Sequence, residues 1–407
     1  MQYQFVGGGV TAPKGYEAGG IHCGIRRNAS KPDLAMIVSG VPCTAAAVYT
    51  KNLVKSAPIL VTRENLKDGR AQAVICNSGI ANACVADGVE KAKKMCRIAA
   101  KELGLNPGDV IVASTGVIGQ PLPIEAIENA APALAESLSE SGSENAARAI
   151  MTTDTVVKNF AVSCTLGGRE VKIGCIAKGS GMIHPNMGTM LCFITTDAAI
   201  SQKALDAALR RAVDVSFNMI SIDGDTSTND TCAILANGLA GNAEIAGTEG
   251  PDFETFAEAL TQLCLKTART LAKDGEGASR LLVCEVTGAK DRENARKAAK
   301  GVIHSTLFKA AMFGADANWG RVLCAVGYSG AETDVSKIGV SFSSKAGEIA
   351  VCRNGFGIPF SEEKAKKLLS EDEITVHVSL GDGQASATAF GCDLTYDYVK
   401  INGDYRS

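Results

Sequence analysis

Residues 178–197, "KGSGMIHPNMGTMLCFITTD", place a threonine directly behind a glycine at the start of an apolar run. Gly188 has access to backbone angles closed to other residues, and "MLCFITT" after it reads as a buried strand. A Gly188–Thr189 bond held in such a bend is open to attack by the Thr189 hydroxyl on the Gly188 carbonyl. The N-to-O acyl shift gives an ester, and hydrolysis frees a new amino terminus on Thr189. That residue would then carry a hydroxyl nucleophile beside an α-amine of pKa about 7.7–8.0, a general base near neutral pH. The same letters also fit a loop entering a strand in which Thr189 merely caps or packs.

Acyl transfer through a tetrahedral intermediate needs hydrogen-bond donors aimed at the developing oxyanion. "VASTGVIG" (112–119) offers the Thr115 hydroxyl and the Gly116 backbone N–H where a strand turns; an ordinary turn is the alternative. "DGDTSTND" (223–230) crowds Asp223, Asp225, Asn229 and Asp230 as a calcium loop does, but lacks the full spacing of acidic positions. A hydrogen-bonded Asx-rich turn supporting the site is the favoured reading. Trp319 in "ADANWGR" is expected to pack between lobes, with Arg321 two positions on. The 14 cysteines include no CxxC pair and only four histidines accompany them, so free buried thiols are expected and no metal site.

The elements that must hold these groups alternate along the chain. Val89, Ala92, Met95, Ala99 and Leu103 share one helical face closed by Gly104 and Pro107; Leu205, Leu209, Ala212 and Val213 form another, and Phe256, Leu260, Leu263, Thr267 and Leu271 a third. Strand-like runs occupy 72–77, 109–114, 172–177, 190–196 and 280–286. A long amphipathic helix is expected over 291–313, followed by short strands near 338–342, 348–353, 373–379 and 385–390. Asp382-Gly383 in "GDGQ" predicts a type I′ hairpin joining the last two. The pattern is α/β, with a main domain over about 1–280, a smaller α+β lobe over about 281–398 and a tail at 399–407.

At 407 residues the chain can bury a large core. Its 41 basic and 44 acidic residues, net −3, give no single-sign field for nucleic acid or an anionic membrane, so small-molecule ligands are expected. Neither a signal-peptide pattern nor a membrane-length apolar run is present, which predicts a cytoplasmic protein.

Seven stretches, in order, resemble the ornithine acetyltransferase (glutamate N-acetyltransferase) family: "GGVTAPKGY" (8–16), "NSGIANAC" (77–84), "ASTGVIGQPLP" (113–123), "KGSGMIHPNMGTMLCFITTDA" (178–198), "SFNMISIDGDTSTND" (216–230), "FGADANWGRV" (313–322) and "INGDYRS" (401–407). The resemblance implies a precursor cleaved between Gly188 and Thr189 into an α chain of 1–188 and a β chain of 189–407, assembled two and two. It implies an acetyl group moving from N-acetylornithine to Thr189 and then to glutamate, in arginine biosynthesis, with no cofactor and in some members with acetyl-CoA as a second donor. Thr115 and Gly116 would form the oxyanion hole. Thr152 (or its neighbour Thr153), Lys178, Thr189, Glu276, Asn402 and Ser407 would contact substrate. The implied fold is a layered αββα sandwich resembling amino-terminal nucleophile hydrolases but differently connected, with the smaller lobe appended. His184, Gly188, Ile80 and Gly403 depart from the family's usual spelling, which has alanine at the first two, asparagine at the third and alanine at the fourth. A hydrolase on the same scaffold, with water accepting the acyl group, and a non-enzymatic amino-acid-binding protein are the competing readings.

Overall fold

The computed structural model describes residues 3–184 and 190–404; Gly188, Thr189 and Ser407 lie outside the described residues. The strands in chain order are β1 (Tyr3–Val6), β2 (Tyr16–Ile21), β3 (Leu34–Tyr49), β4 (Arg70–Asn77), β5 (Val110–Ser114), β6 (Lys158–Leu166), β7 (Arg169–Lys178), β8 (Leu191–Thr196), β9 (Ile220–Ser221), β10 (Thr231–Ala236), β11 (Leu281–Ala289), β12 (Gly339–Ser344), β13 (Gly347–Arg353), β14 (Phe356–Gly357), β15 (Glu373–Ser379) and β16 (Ala385–Cys392). They form two sheets, one ordered β1-β6-β7-β8-β10-β3-β4-β5 with β2 beside β3, the other β14-β13-β12-β15-β11-β16-β9. The chain divides into two compact units, each containing one sheet. The first comprises the described residues of Met1–Gly179, Pro185–Asp214 and Thr226–Thr267, the second those of Ser180–His184, Val215–Asp225 and Ala268–Ser407.

In the first unit the 16-residue β3 explains how one sheet makes two layers. Its first half pairs with β2 and β4 and its second with β10, and the register breaks between Val38 and Cys43, where Gly40 and Pro42 interrupt the strand. Strand alternation then sorts side chains by face. Ala35, Ile37, Val74, Cys76, Ile111 and Ala113 share one core with Ile176, Leu191, Phe193, Ala233 and Leu235 from the other half. Leu34, Met36, Ala73, Ile75, Val110 and Val112 face outward onto the helices Ala57–Asn65, Gly88–Leu103 and Ile124–Glu136. On the far side Cys175 Sγ meets Thr267 Oγ1 at 3.4 Å, so helix Pro251–Lys273 covers that half. The order helix, sheet, sheet, helix is the α/β layering expected. The expected helix ending holds as well: Gly104 adopts φ 67° and returns its N–H to Ala100 O.

The second unit packs helices Arg292–His304, Thr306–Phe313, Trp319–Tyr328 and Glu362–Leu369 on its sheet. Two local expectations fail here. The helix expected over 291–313 is two helices, because Ser305 leaves helical angles and its side chain accepts the Phe308 N–H as an N-cap. The predicted 381–384 hairpin is absent: β11 lies between β15 and β16, parallel to one and antiparallel to the other. The turn instead crosses the end of β11, with Asp382 and Gly383 both donating N–H to Gly288 O. A turn signal reports local angles and is silent about which strand fills the gap. Trp319 belongs to this unit's own core margin, stacked where a side chain at Gly357 would collide with its ring. All 14 cysteines are free; Cys84 and Cys324 are exposed, against the expectation of buried thiols. Among the described residues no helix is long and apolar enough to cross a membrane.

Candidate active site

Thr115 and Gly116 leave the end of β5 in a bend laced to the loop after β4. Thr115 N–H donates to Asn77 O at 3.0 Å, Val117 N–H to Gly79 O at 3.0 Å, and Ala81 N–H to Val117 O at 2.9 Å. Gly116 is required by this close approach: its φ is +130°, and a Cβ there would lie 2.2 Å from Gly79 C and 2.3 Å from its oxygen. The neighbouring N–H groups are thus spent, whereas the Gly116 N–H and the Thr115 hydroxyl have no hydrogen-bond partner among the described residues. Asn229, ahead of β10, buttresses the bend, its Nδ2 donating to Ala81 O and Ser114 O at 2.7 Å each. Ile80 takes part through its carbonyl, which accepts Asn77 Nδ2 at 2.9 Å, while its side chain joins the outer core. A side chain differing from the family's asparagine therefore leaves this hydrogen bond in place.

Lys178 ends β7 opposite Leu191, the first residue of β8, which also faces Thr231 of β10. Thr231 N–H holds Met190 O at 3.0 Å, fixing the chain directly after the expected nucleophile. Around Lys178 sits a buried carboxylate, Asp154, which receives Thr152 N–H at 3.1 Å, Gly179 N–H at 2.7 Å and Lys158 Nζ at 2.6 Å. Burial alone would raise its pKa; the Lys178 and Lys158 charges and the hydrogen bonds overcome that and hold it down at about 2. Asp230, also in the reach of Lys178, is pushed the other way by burial, and its Oδ2 has no partner among the described residues. The Lys178 charge thus acts on Asp154, on Asp230 and on Cys76, the penultimate residue of β4.

In the second unit Glu276 is buried and its carboxylate accepts Asn402 Nδ2 at 2.8 Å; its N–H donates to Ser180 O at 2.8 Å. Gly181 makes room for that carboxylate, since a Cβ there would stand 2.3–2.5 Å from it. Asp223 fastens the same segment by accepting Met182 N–H at 2.5 Å and Ile183 N–H at 2.8 Å, and Tyr398 OH donates to it at 3.3 Å. The final helix, Tyr396–Gly403, thus supplies both Tyr398 and Asn402. His184 sits 4.6 Å, ring to ring, from His304 and 3.0 Å from Ser221 Oγ. Burial, with Lys300 and His304 nearby, depresses its pKa to about 3. A Cβ at Gly403 meets nothing within 4 Å, so the departure there carries no packing consequence.

The first unit gathers Thr152 and Lys178 around one carboxylate and sets Thr115 and Gly116 at the Asn229 crosslink; the second joins Glu276 to Asn402. Thr153 lies beside Thr152 on the same turn. In "DGDTSTND" Asp223 accepts the Met182, Ile183 and Asp225 N–H groups, the last closing an Asx turn, while Asn229 crosslinks Ala81 and Ser114. Sequence reasoning missed Asp154 and Lys158. Their signal was the spacing "DTVVK", with a charge of each sign ahead of an apolar strand.

The sequence profile of the ArgJ family matches residues 17–407. The chain belongs to the ArgJ family. The arginine biosynthesis bifunctional protein ArgJ of Symbiobacterium thermophilum is 50% identical over 406 residues, covering 99% of this chain and 100% of that protein. Among solved structures, an arginine biosynthesis bifunctional protein ArgJ from Bacillus halodurans is 43% identical, covering 52% of this chain and 97% of that one with a TM-score of 0.49. An ornithine acetyltransferase from Mycobacterium tuberculosis, complexed with ornithine, is 35% identical, covering 46% and 99% with a TM-score of 0.42. Family membership makes the protein an enzyme, an acyltransferase of arginine biosynthesis that works on small molecules.

Proposed function

We propose that the protein transfers acetyl from N-acetylornithine to glutamate through an acetyl-Thr189 intermediate, after cutting its own chain between Gly188 and Thr189. The amine of the new terminus takes the proton from the Thr189 hydroxyl, whose oxygen attacks the acetyl carbonyl. Thr115 Oγ1 and the Gly116 N–H receive the oxyanion. The amide C–N bond breaks, ornithine leaves with the proton on its amine, and the glutamate amine then attacks the ester and restores the Thr189 hydroxyl. Lys178 and Thr152 contact substrate, as do Glu276, Asn402 and Ser407. The observation that carries this reading is the pair of donors at Thr115 and Gly116, unspent among the described residues while the N–H groups on either side are engaged. The α and β chains are assigned to a cytoplasmic assembly of two copies each.

The name bifunctional on the 50%-identical relative favours a second activity, which we assign to acetyl transfer from acetyl-CoA to glutamate. Denaturing electrophoresis with amino-terminal sequencing is expected to show a fragment beginning Thr-Met-Leu, and Thr189→Ala to leave one inactive chain. With purified protein and glutamate, each donor supplied alone is expected to yield N-acetylglutamate. A single intact chain in active enzyme would refute the cleavage, and free acetate in place of acetylglutamate would make the enzyme a hydrolase.

A further inference from the structure

Asp154 and Lys158 are joined at 2.6 Å with both side chains fully buried. Such a pair is a poor source of stability, because desolvating two charges offsets most of their attraction and packed apolar residues serve a core at least as well. Its hydrogen bonds show what it accomplishes instead. Asp154 spends its two oxygens on three donors from separate parts of the chain: the Thr152 N–H, the Gly179 N–H and Lys158 Nζ. Lys158 Nζ reaches on to Gly179 O at 3.4 Å. Gly179 is therefore held at its N–H by one member of the pair and at its carbonyl by the other, and Lys178 is the residue that precedes it. The backbone of Thr152 is tied to the same carboxylate. Lys178 and Thr152, the two first-unit residues assigned to substrate contact, are thus the neighbours this pair fixes, and the α-carboxylate that N-acetylornithine and glutamate share is the group a lysine cation and a hydroxyl recognise.

We infer that Asp154, backed by Lys158, is a positioning residue that sets Lys178 and Thr152 for the α-carboxylate of the amino-acid substrate. This rests on the assignment of Lys178 and Thr152 to substrate contact. An asparagine at 154 keeps one acceptor oxygen and cannot hold both backbone N–H groups as the carboxylate does.

The test compares glutamate with its α-carboxamide as acetyl acceptor, using the whole enzyme and N-acetylornithine as donor. Asp154→Asn combined with Lys158→Met removes both buried charges together, so neither is stranded. In this variant the thermal midpoint is expected near that of the unsubstituted enzyme. The glutamate KM is expected to rise about tenfold, the size of one charge-assisted contact, with kcat nearly unchanged. The KM for the carboxamide should stay where it was. A folded double variant with an unchanged glutamate KM, or an equal rise for both acceptors, overturns the positioning role. If the double variant does not fold, Asp154→Glu is read in its place: the charge remains but the carboxylate moves out by a methylene, and the same selective rise is expected, an unselective or absent one overturning the proposal. Lys178→Met separates the two levels. An unchanged glutamate KM there overturns the substrate assignment and the positioning role with it, whereas a raised KM there with none in the Asp154 variants overturns the positioning role alone.

Discussion

Replacing Gly116 by alanine adds a methyl group at the most crowded point of the Thr115 bend. Its Cβ would stand 2.2 Å from Gly79 C, 2.3 Å from Gly79 O and 2.6 Å from Ile80 N, all backbone atoms with no rotamer to escape into. A φ of +130° adds strain of about 1–2 kcal/mol for any residue with a Cβ. Separating the two loops weakens the bonds from Thr115 N–H, Val117 N–H and Ala81 N–H, each contributing about 0.5–1.5 kcal/mol. The expected loss is about 3–5 kcal/mol, read as the shift of the urea midpoint followed by circular dichroism. In whatever fraction folds, the N–H at 116 that we assign to the oxyanion is displaced, and kcat for acetyl transfer should fall by about a hundredfold or more. Gly119→Ala is the matched control. It also has positive φ, +79°, but its Cβ would meet nothing within 4 Å, so it should lose only about 1 kcal/mol. Equal stability of the two variants, or full kcat in Gly116→Ala, would refute the reasoning.

Asn229→Ala removes two donations to the buried carbonyls of Ala81 and Ser114, and should cost about 2–4 kcal/mol by urea denaturation while lowering kcat more than it raises KM. Gly181→Ala sets a methyl against the Glu276 carboxylate, a movable side-chain end, so the thermal midpoint should barely change; the contact with Asn402 is lost, and substrate KM is the quantity to watch. His184 has a pKa of about 3 in the fold, below its unfolded value, so its contribution is intact above about pH 6.5 and is lost as pH falls from there toward 3. His184→Ala should therefore flatten the acid side of the stability curve, by at most about 1 kcal/mol per pH unit given the ring's partial exposure. Some slope should remain, because His304 is depressed in the same direction by burial, Lys300 and Lys309. An unchanged thermal midpoint profile between pH 7 and pH 5 would show that His184 is not held neutral by the fold.

The motifs and their order settled the family, and alternation settled most of the elements. The apolar 190–196 run contains β8, buried throughout, and the helix over 88–103 ends at Gly104 because a glycine there can take a left-handed angle. Local period and cap chemistry are written within a few residues of one another, which is why a linear reading recovers them. Partners far apart in the chain leave no such trace. Asn229 answers Ala81 and Ser114 across 148 and 115 positions, and Asn402 answers Glu276 across 126. The "GDGQ" turn has the letters of a hairpin, yet β11, far earlier in the chain, occupies the place between its two strands. Asp154 and Lys158 are close in sequence, but an i, i+4 pair of opposite charges is ordinarily a solvated one. Its burial, and its hold on the peptide after Lys178, follow from β6 and β7 being paired inside the sheet. The sequence by itself determined which chemistry the chain carries and which segments become strands and helices; the tertiary structure decided which buried groups pin the reactive segments in place, because desolvation and long-range hydrogen bonding exist only once the layers have closed.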